Sequence, residues 1–233
     1  MSLVITAFSP VQDVRATITP RLRPDAKTNL LLVDLGMGKN RLGGSCLGQV
    51  YQQVGEQAPD LDQPALLSNF FKAIQKLLAA RQLIAYHDRS DGGLLATLTE
   101  MCFAGHCGAS VELLADTKQK LLAELFSEEL GAVLQVKNLD LATSILAEHG
   151  LASATRLLGQ VRSERTLRIT SPGFDYSGDL VELQRVWAET SYRIQSMRDN
   201  PESAKQEFDA LLAEDPGLSC QLNFDPQEDI TAP

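Results

Sequence analysis

The chain has 233 residues and a mass of 25.4 kDa, with 21 basic and 30 acidic side chains, a formal net charge of −9 and an isoelectric point of about 4.9. This acidic balance, with no basic stretch to offset it, excludes a nucleic-acid-binding protein, because an acidic surface repels the phosphate backbone. No stretch approaches the roughly 20 apolar residues that a transmembrane helix needs, so a membrane protein is also excluded.

The first elements that the sequence predicts are strands. An apolar, β-branched run covers residues 2–10 and starts almost at the first residue, which is typical of a piece cut from a longer protein. Residues 15–20 predict a second short strand, ended by Pro20, which removes a ladder donor. Residues 28–35 form the clearest strand, because their unbroken apolar run is typical of a strand buried on both faces of a sheet.

A glycine-rich loop at residues 36–45 follows this strand and leads into a predicted helix over residues 46–54, with Ser45 as its N-cap. Glycines let backbone amides approach an anion, Lys39 and Arg41 add positive charge, and the helix N-terminus favours negative charge. The loop therefore indicates phosphate binding. The standard phosphate-loop and dinucleotide motifs do not match, so a plain strand–turn–helix connection is an equal alternative.

Predicted strands and helices alternate along the middle of the chain. Apolar residues at three- and four-residue spacing predict a helix over residues 63–81. The further predicted elements are a strand at 83–86, a helix at 94–104, an element at 121–129, a strand at 131–136, a helix at 140–150 and a terminal hairpin of 157–161 with 166–170. This order predicts an α/β fold of the α+β kind, with a mixed β-sheet flanked by helices.

The pattern changes from Gly178 onwards. A long helical pattern covers residues 180–197, resumes at 204–212, and gives way beyond Pro216 to a stretch without periodicity that is typical of a linker. The sequence therefore predicts a domain at residues 1–177 and a helical extension and linker at residues 178–233.

The most informative motif is the turn at residues 87–93, which again lies between a strand and a helix. Asp88, Asp91 and the hydroxyl of Ser90 offer hard oxygen ligands suited to Mg²⁺, which binds one or two protein carboxylates together with substrate phosphates. An equal alternative is that Ser90 or Asp91 caps the helix and that Asp88 is a solvated turn residue. For His87, a hydrogen-bonded structural role is favoured over catalysis.

The remaining polar residues carry weaker signals. Glu128 and Glu129 could face the same site, but a solvated turn is the favoured interpretation. Cys102, His106 and Cys107 are the nearest approach to a metal cluster, and a zinc site needs four ligands at recognised spacings. The four cysteines, none of them in a Cys-x-x-Cys pair, predict buried thiols in a reducing cytosol. We predict no catalytic residue in this chain.

Seven stretches, taken together, resemble a known family. They are AFSPVQDVR at 7–15, LLVDLGMGKNRLGGSCLGQ at 31–49, YHDRSDGGL at 86–94, FAGHCG at 103–108, LFSEELG at 125–131, WAETS at 187–191 and RDNP at 198–201. In this combination the chain resembles the C-terminal-type domain of the aminoimidazole-ribonucleotide synthetase superfamily. Within it, the chain is similar to the second such domain of the large, single-chain phosphoribosylformylglycinamidine synthases.

The resemblance implies an ATP-dependent ligase of purine biosynthesis. Such enzymes convert formylglycinamide ribonucleotide, ATP and glutamine into formylglycinamidine ribonucleotide, ADP, phosphate and glutamate. ATP phosphorylates the amide oxygen, and ammonia from a separate glutaminase domain then displaces the phosphate. Nucleotide sites lie between N-terminal-type and C-terminal-type domains, so the expected partners are the remaining domains of the same polypeptide, formylglycinamide ribonucleotide and the nucleotide.

The resemblance also implies site residues. It places Asp88 on Mg²⁺ and Ser90 on ATP or ADP, and Lys39, Arg41 and Ser45 are further candidates for nucleotide binding. We expect the isolated chain to be inactive and the whole enzyme to be cytoplasmic. The alternative is a scaffold that holds a structural nucleotide without turnover. A stand-alone binding protein is a third possibility, which the abrupt start and the linker-like end disfavour.

Overall fold

The computed structural model describes residues 4–11, 13–24, 27–213, 220–225 and 227–228. The chain divides into two compact units, Met1–Leu183 and Gln184–Pro233. The predicted domain boundary between residues 177 and 178 stays a prediction.

The first unit is built on seven strands. They are β1 (Asn29–Asp34), β2 (Leu83–Asp88), β3 (Gly108–Glu112), β4 (Gly131–Val136), β5 (Thr155–Arg162), β6 (Thr166–Ser171) and β7 (Phe174–Asp179). They form one sheet in the order β2-β4-β1-β5-β3-β6-β7. Neighbouring strands are antiparallel except β3 and β6, which run parallel. The predicted mixed sheet is therefore confirmed.

Seven α-helices accompany the sheet in the described residues. They are α1 (Cys46–Val50), α2 (Pro64–Ala79), α3 (Gly93–Gly105), α4 (Lys118–Phe126), α5 (Leu139–Glu148), α6 (Leu180–Arg198) and α7 (Pro201–Ala210), with 3-10 turns at Val14–Ala16 and Ala152–Ala154. Pro64 suits the first position of α2, where its missing N–H costs nothing. Within the described residues, no helix has both the length and the apolarity to span a membrane.

Helices cover both faces of the sheet, and β1 shows this most directly. Its side chains alternate between two apolar clusters, because successive residues of a strand point to opposite faces. Leu30 and Leu32 belong to the α3/α4 cluster, together with buried residues of those two helices. Leu31 and Val33 belong to the α2/α5 cluster. The prediction that this strand is buried on both faces is confirmed.

The second unit contains most of α6 and all of α7. Tyr192 on α6 stacks on Phe208 on α7 with ring centroids 4.5 Å apart. The guanidinium carbon of Arg185 lies 4.5 Å from the centroid of the same Phe208 ring. Asn200 caps α7 by accepting hydrogen bonds from the N–H groups of Glu202 and Ser203. The predicted break in the helical pattern at Asn200 is thus a helix start.

Three predictions about elements need correction or a limit. Residues 4–10 and 17–20 form no strand, and residues 14–16 form a 3-10 turn. Strands β5 and β6 do not form a hairpin, because β3 lies between them in the sheet; the hairpin partner of β6 is β7. Residues 2–3, 217–219, 226 and 229–233, parts of the predicted first strand and of the predicted linker, lie outside the described residues.

Candidate functional site

The turn that joins β2 to α3 places its polar side chains on two sides of the chain. The Asp88 side chain is 67% exposed, Ser90 is exposed, and Arg89 between them is buried. This alternation follows from the extended backbone, in which successive side chains point in opposite directions. Asp88 and Ser90, the residues of this turn that are predicted to hold Mg²⁺ and the nucleotide, therefore share the solvent side of the turn.

Two glycines allow the chain to enter α3 directly after this turn. Gly92 and Gly93 have φ values of 80° and 68°, a backbone conformation that residues with a Cβ rarely adopt. A Cβ on Gly93 would lie 2.7 Å from the backbone carbonyl carbon of Phe126. The second glycine is thus required by the close packing of the start of α3 against the end of α4.

His87 is held by hydrogen bonds next to the turn. Its Nδ1 lies 2.7 Å from the backbone oxygen of Asp88, and its Nε2 lies 3.0 Å from Oε2 of Glu100. Its Nδ1 is also 3.6 Å from Oδ1 of Asp88. These contacts confirm that His87 is hydrogen-bonded, and its structural role stays a prediction.

The glycine-rich loop between β1 and α1 uses most of its polar groups within the protein. Arg41 donates from Nε to Oε1 of Glu129 at 2.7 Å and from Nη2 to Oδ2 of Asp62 at 3.0 Å. The hydrogen bond to Glu129 raises the pKa of Arg41. The Lys39 side chain is half exposed, and its Nζ atom lies 2.9 Å from Oδ1 of Asp62. Of the two predicted cations of the loop, Lys39 is the more accessible.

Ser45 is fully buried at the start of α1. Its hydroxyl donates to the carbonyl oxygen of Leu42 at 2.7 Å and accepts from the N–H of Gly48 at 3.2 Å. The predicted N-cap is confirmed. The nucleotide role of Ser45 stays a prediction.

The segment between α4 and β4 connects the loop and the turn. Oε1 of Glu128 accepts the backbone N–H of Cys46 at 2.8 Å and that of Gly92 at 2.9 Å. The backbone oxygen of Glu129 accepts from Nε of Arg89 at 2.7 Å, while its carboxylate holds Arg41. The structure thus brings the glycine-rich loop and the β2–α3 turn together through two adjacent glutamates.

The prediction of a solvated turn at these glutamates is wrong. Glu129 is completely buried and Glu128 is half-buried. A carboxylate can be buried when several donors satisfy it, and the two loops supply those donors. No local sequence pattern predicts this burial, because Glu129 pairs with Arg41, which is 88 residues away in the chain.

One small cluster has the composition of a metal site. The ligand atoms of Cys46, Asp91 and Glu128 all lie within 4.8 Å of one another. Burial, and after it the hydrogen bond to Glu128, raises the pKa of the Cys46 thiol. Within the described part of the chain, Cys102, His106 and Cys107 do not form such a cluster.

The cysteine prediction holds only in part. All four thiols are free, as predicted. Cys102 and Cys107 are buried, whereas Cys46 is partly exposed and Cys220 is exposed, which corrects the prediction that all four are buried.

A cleft of about 490 Å³ opens beside the loop, at the carboxyl end of β1. The cleft has no local sequence signal, because its charged residues come from four separate parts of the chain. They are Asp34, Lys39, Arg89, Lys120, Glu124 and Arg156.

Comparison with known proteins identifies the fold and the family. Residues 31–171 match the family model described as "AIR synthase related protein, C-terminal domain". The structure is similar to that of PurLQS from Thermotoga maritima, with a TM-score of 0.54 and 14% identity over 72% of this chain and 27% of that chain. It is also similar to T. maritima PurL complexed with ATP, with a TM-score of 0.52 and 16% identity over 72% of this chain and 27% of that chain.

A third similar structure is phosphoribosylformylglycinamidine synthase II from Thermotoga maritima, with a TM-score of 0.52 and 14% identity. The likeness covers 70% of this chain and 26% of that chain. The chain thus spans about a quarter of the length of the structures that it matches. At these identities the structural likeness concerns the fold, and the family model covers more than half of the sequence. The chain belongs to the AIR synthase-related family and contains its C-terminal-type domain.

Proposed function

We propose that this chain is the second C-terminal-type domain of a large, single-chain phosphoribosylformylglycinamidine synthase and that it contributes one wall of a magnesium–nucleotide site. The observation that carries the proposal is the β2–α3 turn, where the exposed Asp88 and Ser90 stand on one side of a domain whose family is established. Similar folds occur in structures described as T. maritima PurL complexed with ATP, with AMPPCP and with ADP, which supports a nucleotide as the ligand.

The donor set of the turn fits a magnesium ion that is shared with other ligands. Asp88 is exposed, and in the described residues its carboxylate has no arginine or lysine partner, so its oxygens are open to a cation. Mg²⁺ binds through one or two carboxylates together with phosphates and water. Asp88 would hold Mg²⁺ and Ser90 would donate a hydrogen bond to a nucleotide phosphate. The ion would neutralise phosphate charge and orient the nucleotide.

The glycine-rich loop has a smaller part in this proposal than its composition suggests. Lys39 is the cation available to a phosphate, because it is half exposed. Arg41 and Ser45 stay candidates, but their polar atoms are engaged by Glu129, Asp62, Leu42 and Gly48. We expect them to shape the loop and not to contact the nucleotide.

Two roles are open to such a site, turnover or a permanently bound structural nucleotide, and we favour the structural role. In either case we place catalysis and the glutaminase in the rest of the polypeptide, together with the sites for formylglycinamide ribonucleotide and glutamine. We therefore expect the 233-residue chain alone to be inactive. The coverage of about a quarter of the PurL structures supports this division. Four free thiols support a reducing, cytoplasmic location.

The test is Asp88→Asn in the full-length enzyme, with Glu164→Gln, which neutralises another exposed carboxylate, as control. Magnesium-dependent ADP binding is measured by calorimetry, together with kcat and the melting temperature. For a structural nucleotide, Asp88→Asn lowers the occupancy of bound nucleotide and the melting temperature before it lowers kcat. For a catalytic site, kcat falls at unchanged stability. Nucleotide binding equal to that of the Glu164→Gln control would contradict both roles.

A further inference from the structure

The cleft at the carboxyl end of β1 lies apart from the proposed nucleotide turn. Its volume of about 490 Å³ is in the range of small-molecule sites, about 300–1,000 Å³. Arg89 lines the cleft, whereas its neighbours Asp88 and Ser90 do not. Because side chains alternate along this extended stretch, Arg89 points away from the side on which Asp88 and Ser90 are exposed.

The charges that line the cleft are predominantly positive. Lys39, Arg89, Lys120 and Arg156 supply four positive charges, and Asp34 and Glu124 supply two negative ones, which leaves an excess of two. Arg89 pairs with Asp34, and Arg156 pairs with Glu124. The excess therefore resides in the two lysines. Lys39 and Lys120 are paired with Asp62 and Asp116, so the cleft gains its positive charge, and attracts an anion, when the lysines turn away from these aspartates.

The two lysines can turn towards a ligand at little cost. The Nζ atom of Lys39 lies 2.9 Å from Oδ1 of Asp62, and the Lys39 side chain is 50% exposed. The Nζ atom of Lys120 lies 2.8 Å from Oδ1 of Asp116, and the Lys120 side chain is 65% exposed. Exposed ion pairs of this kind contribute little to stability. Neither of their aspartate partners lines the cleft.

Arg89 is the most buried of the charged residues that line the cleft. The Arg89 side chain is 1% exposed, and its Nε and Nη2 donate to Glu129, Asp34 and Leu130. Within the described part of the chain, its Nη1 makes no hydrogen bond and is not completely buried. A rigidly held guanidinium with an open N–H in a cleft is a directed donor for an anionic oxygen.

We propose that this cleft is a second anion site, which binds a small molecule through a phosphate monoester and needs no metal ion. An excess of two positive charges matches the charge of about −1.5 to −2 of a phosphate monoester at neutral pH. Arg89 and Arg156 supply fixed donors, while Lys39 and Lys120 close over the phosphate from the rim. The inference does not depend on the nucleotide role of Asp88 and Ser90, and Lys39 is the one residue that it shares with the proposed nucleotide site, so the test changes Lys120 and leaves Lys39 in place.

The experiment measures the binding of glycerol 3-phosphate to the full 233-residue chain by calorimetry in the presence of EDTA, with glycerol as the uncharged control. Lys120→Gln removes one rim charge from an exposed position. Arg156→Gln/Glu124→Gln removes one charge of each sign, so that the net charge of the protein is unchanged. Lys76→Gln is the matched control, because Lys76 is another exposed helical lysine paired with a carboxylate, Glu148.

We expect saturable binding of glycerol 3-phosphate and none of glycerol. Lys120→Gln weakens binding at least fivefold, and the double variant at least tenfold, while Lys76→Gln stays within twofold. Asp88→Asn also stays within twofold, even if it abolishes magnesium-dependent ADP binding, so the two proposals can fail separately. No saturable binding, an equal loss in Lys76→Gln, or a loss in Asp88→Asn would each overturn the proposal. If the double variant does not fold, the affinity of Lys120→Gln for glycerol 3-phosphate tests the proposal.

Discussion

The carboxylate of Glu129 is the most constrained charged group near the two loops. It is completely buried, and it accepts the backbone N–H of Arg41 at 3.0 Å as well as Nε at 2.7 Å and Nη2 at 2.8 Å of the same residue. Its backbone oxygen holds Arg89. One residue thus fixes the glycine-rich loop and the arginine of the cleft together.

Glu129→Ala should lower the free energy of unfolding by about 1–3 kcal/mol, because the backbone N–H, Nε and Nη2 of Arg41 lose a buried acceptor, while Asp62 still balances the charge of the guanidinium. Urea denaturation followed by circular dichroism measures the change. Glu148→Ala, which removes an exposed carboxylate paired with Lys76, is the control and should leave the midpoint unchanged. Equal midpoints for the two variants would show that Glu129 is not a buried anchor.

The thiols should differ sharply in reactivity. Burial raises the pKa of Cys102 to about 12 and that of Cys107 to about 11, whereas Cys220 is exposed. Only the thiolate attacks a disulfide reagent, so at pH 8 the two buried thiols should react at least ~100-fold more slowly than Cys220. Ellman's reagent should titrate all four thiols in guanidinium. Fast reaction of Cys102 in the native chain would contradict its burial.

At the scale of elements, the start of α3 is fixed by its contact with the end of α4. Gly93→Ala should destabilise the fold more than Gly38→Ala, although both positions have positive φ values, 68° and 77°. A Cβ at Gly93 meets the backbone of Phe126, Leu125 and Ser127 within 2.8 Å, whereas a Cβ at Gly38 meets nothing within 4 Å. Backbone strain alone costs about 1–3 kcal/mol, and Gly93→Ala adds a collision.

Thermal denaturation of the two glycine variants separates the effect of backbone strain, which both variants share, from the effect of the collision with α4, which only Gly93→Ala adds. We expect Gly38→Ala to fold with a moderately lowered melting temperature and Gly93→Ala to melt well below it. Similar melting temperatures would mean that α3 can shift away from α4 without loss.

The sequence predicts an element well where its pattern is local. β1 is predictable because a strand buried on both faces is continuously apolar, and the β2–α3 turn because its polar side chains lie close together in sequence. The parallel pairing of β3 with β6 has no local signal, so β5 and β6 look like a hairpin when read in order. The cleft is equally invisible, since Lys39 and Arg156 come from distant segments.

At the scale of the whole molecule, nearly all buried apolar side chains belong to one stretch of the chain. Both clusters lie between Leu22 and Leu180, and among the described residues beyond Leu180 the only buried apolar side chain is Ala204. The sheet therefore carries its own core without α7 or the residues after it.

A chain that ends at Leu183 should fold without the second unit and should unfold in a single cooperative thermal transition. Its melting temperature should stay within about 4 °C of that of the full chain, the shift that a loss of about 1 kcal/mol causes in a domain of this size. A shortened chain without a cooperative thermal transition would show that residues 184–233 complete the core.

The strand order has a consequence for how the chain reaches this structure during synthesis. β1 is an interior strand of the sheet, but its partners β4 and β5 follow it by roughly 100 residues or more, as the pairs Leu31–Leu134 and Leu31–Leu157 show. Contacts between residues so distant in sequence slow folding, and an apolar strand without partners is prone to aggregate. While the ribosome translates the intervening residues, β1 is therefore an apolar segment that has none of its partner strands.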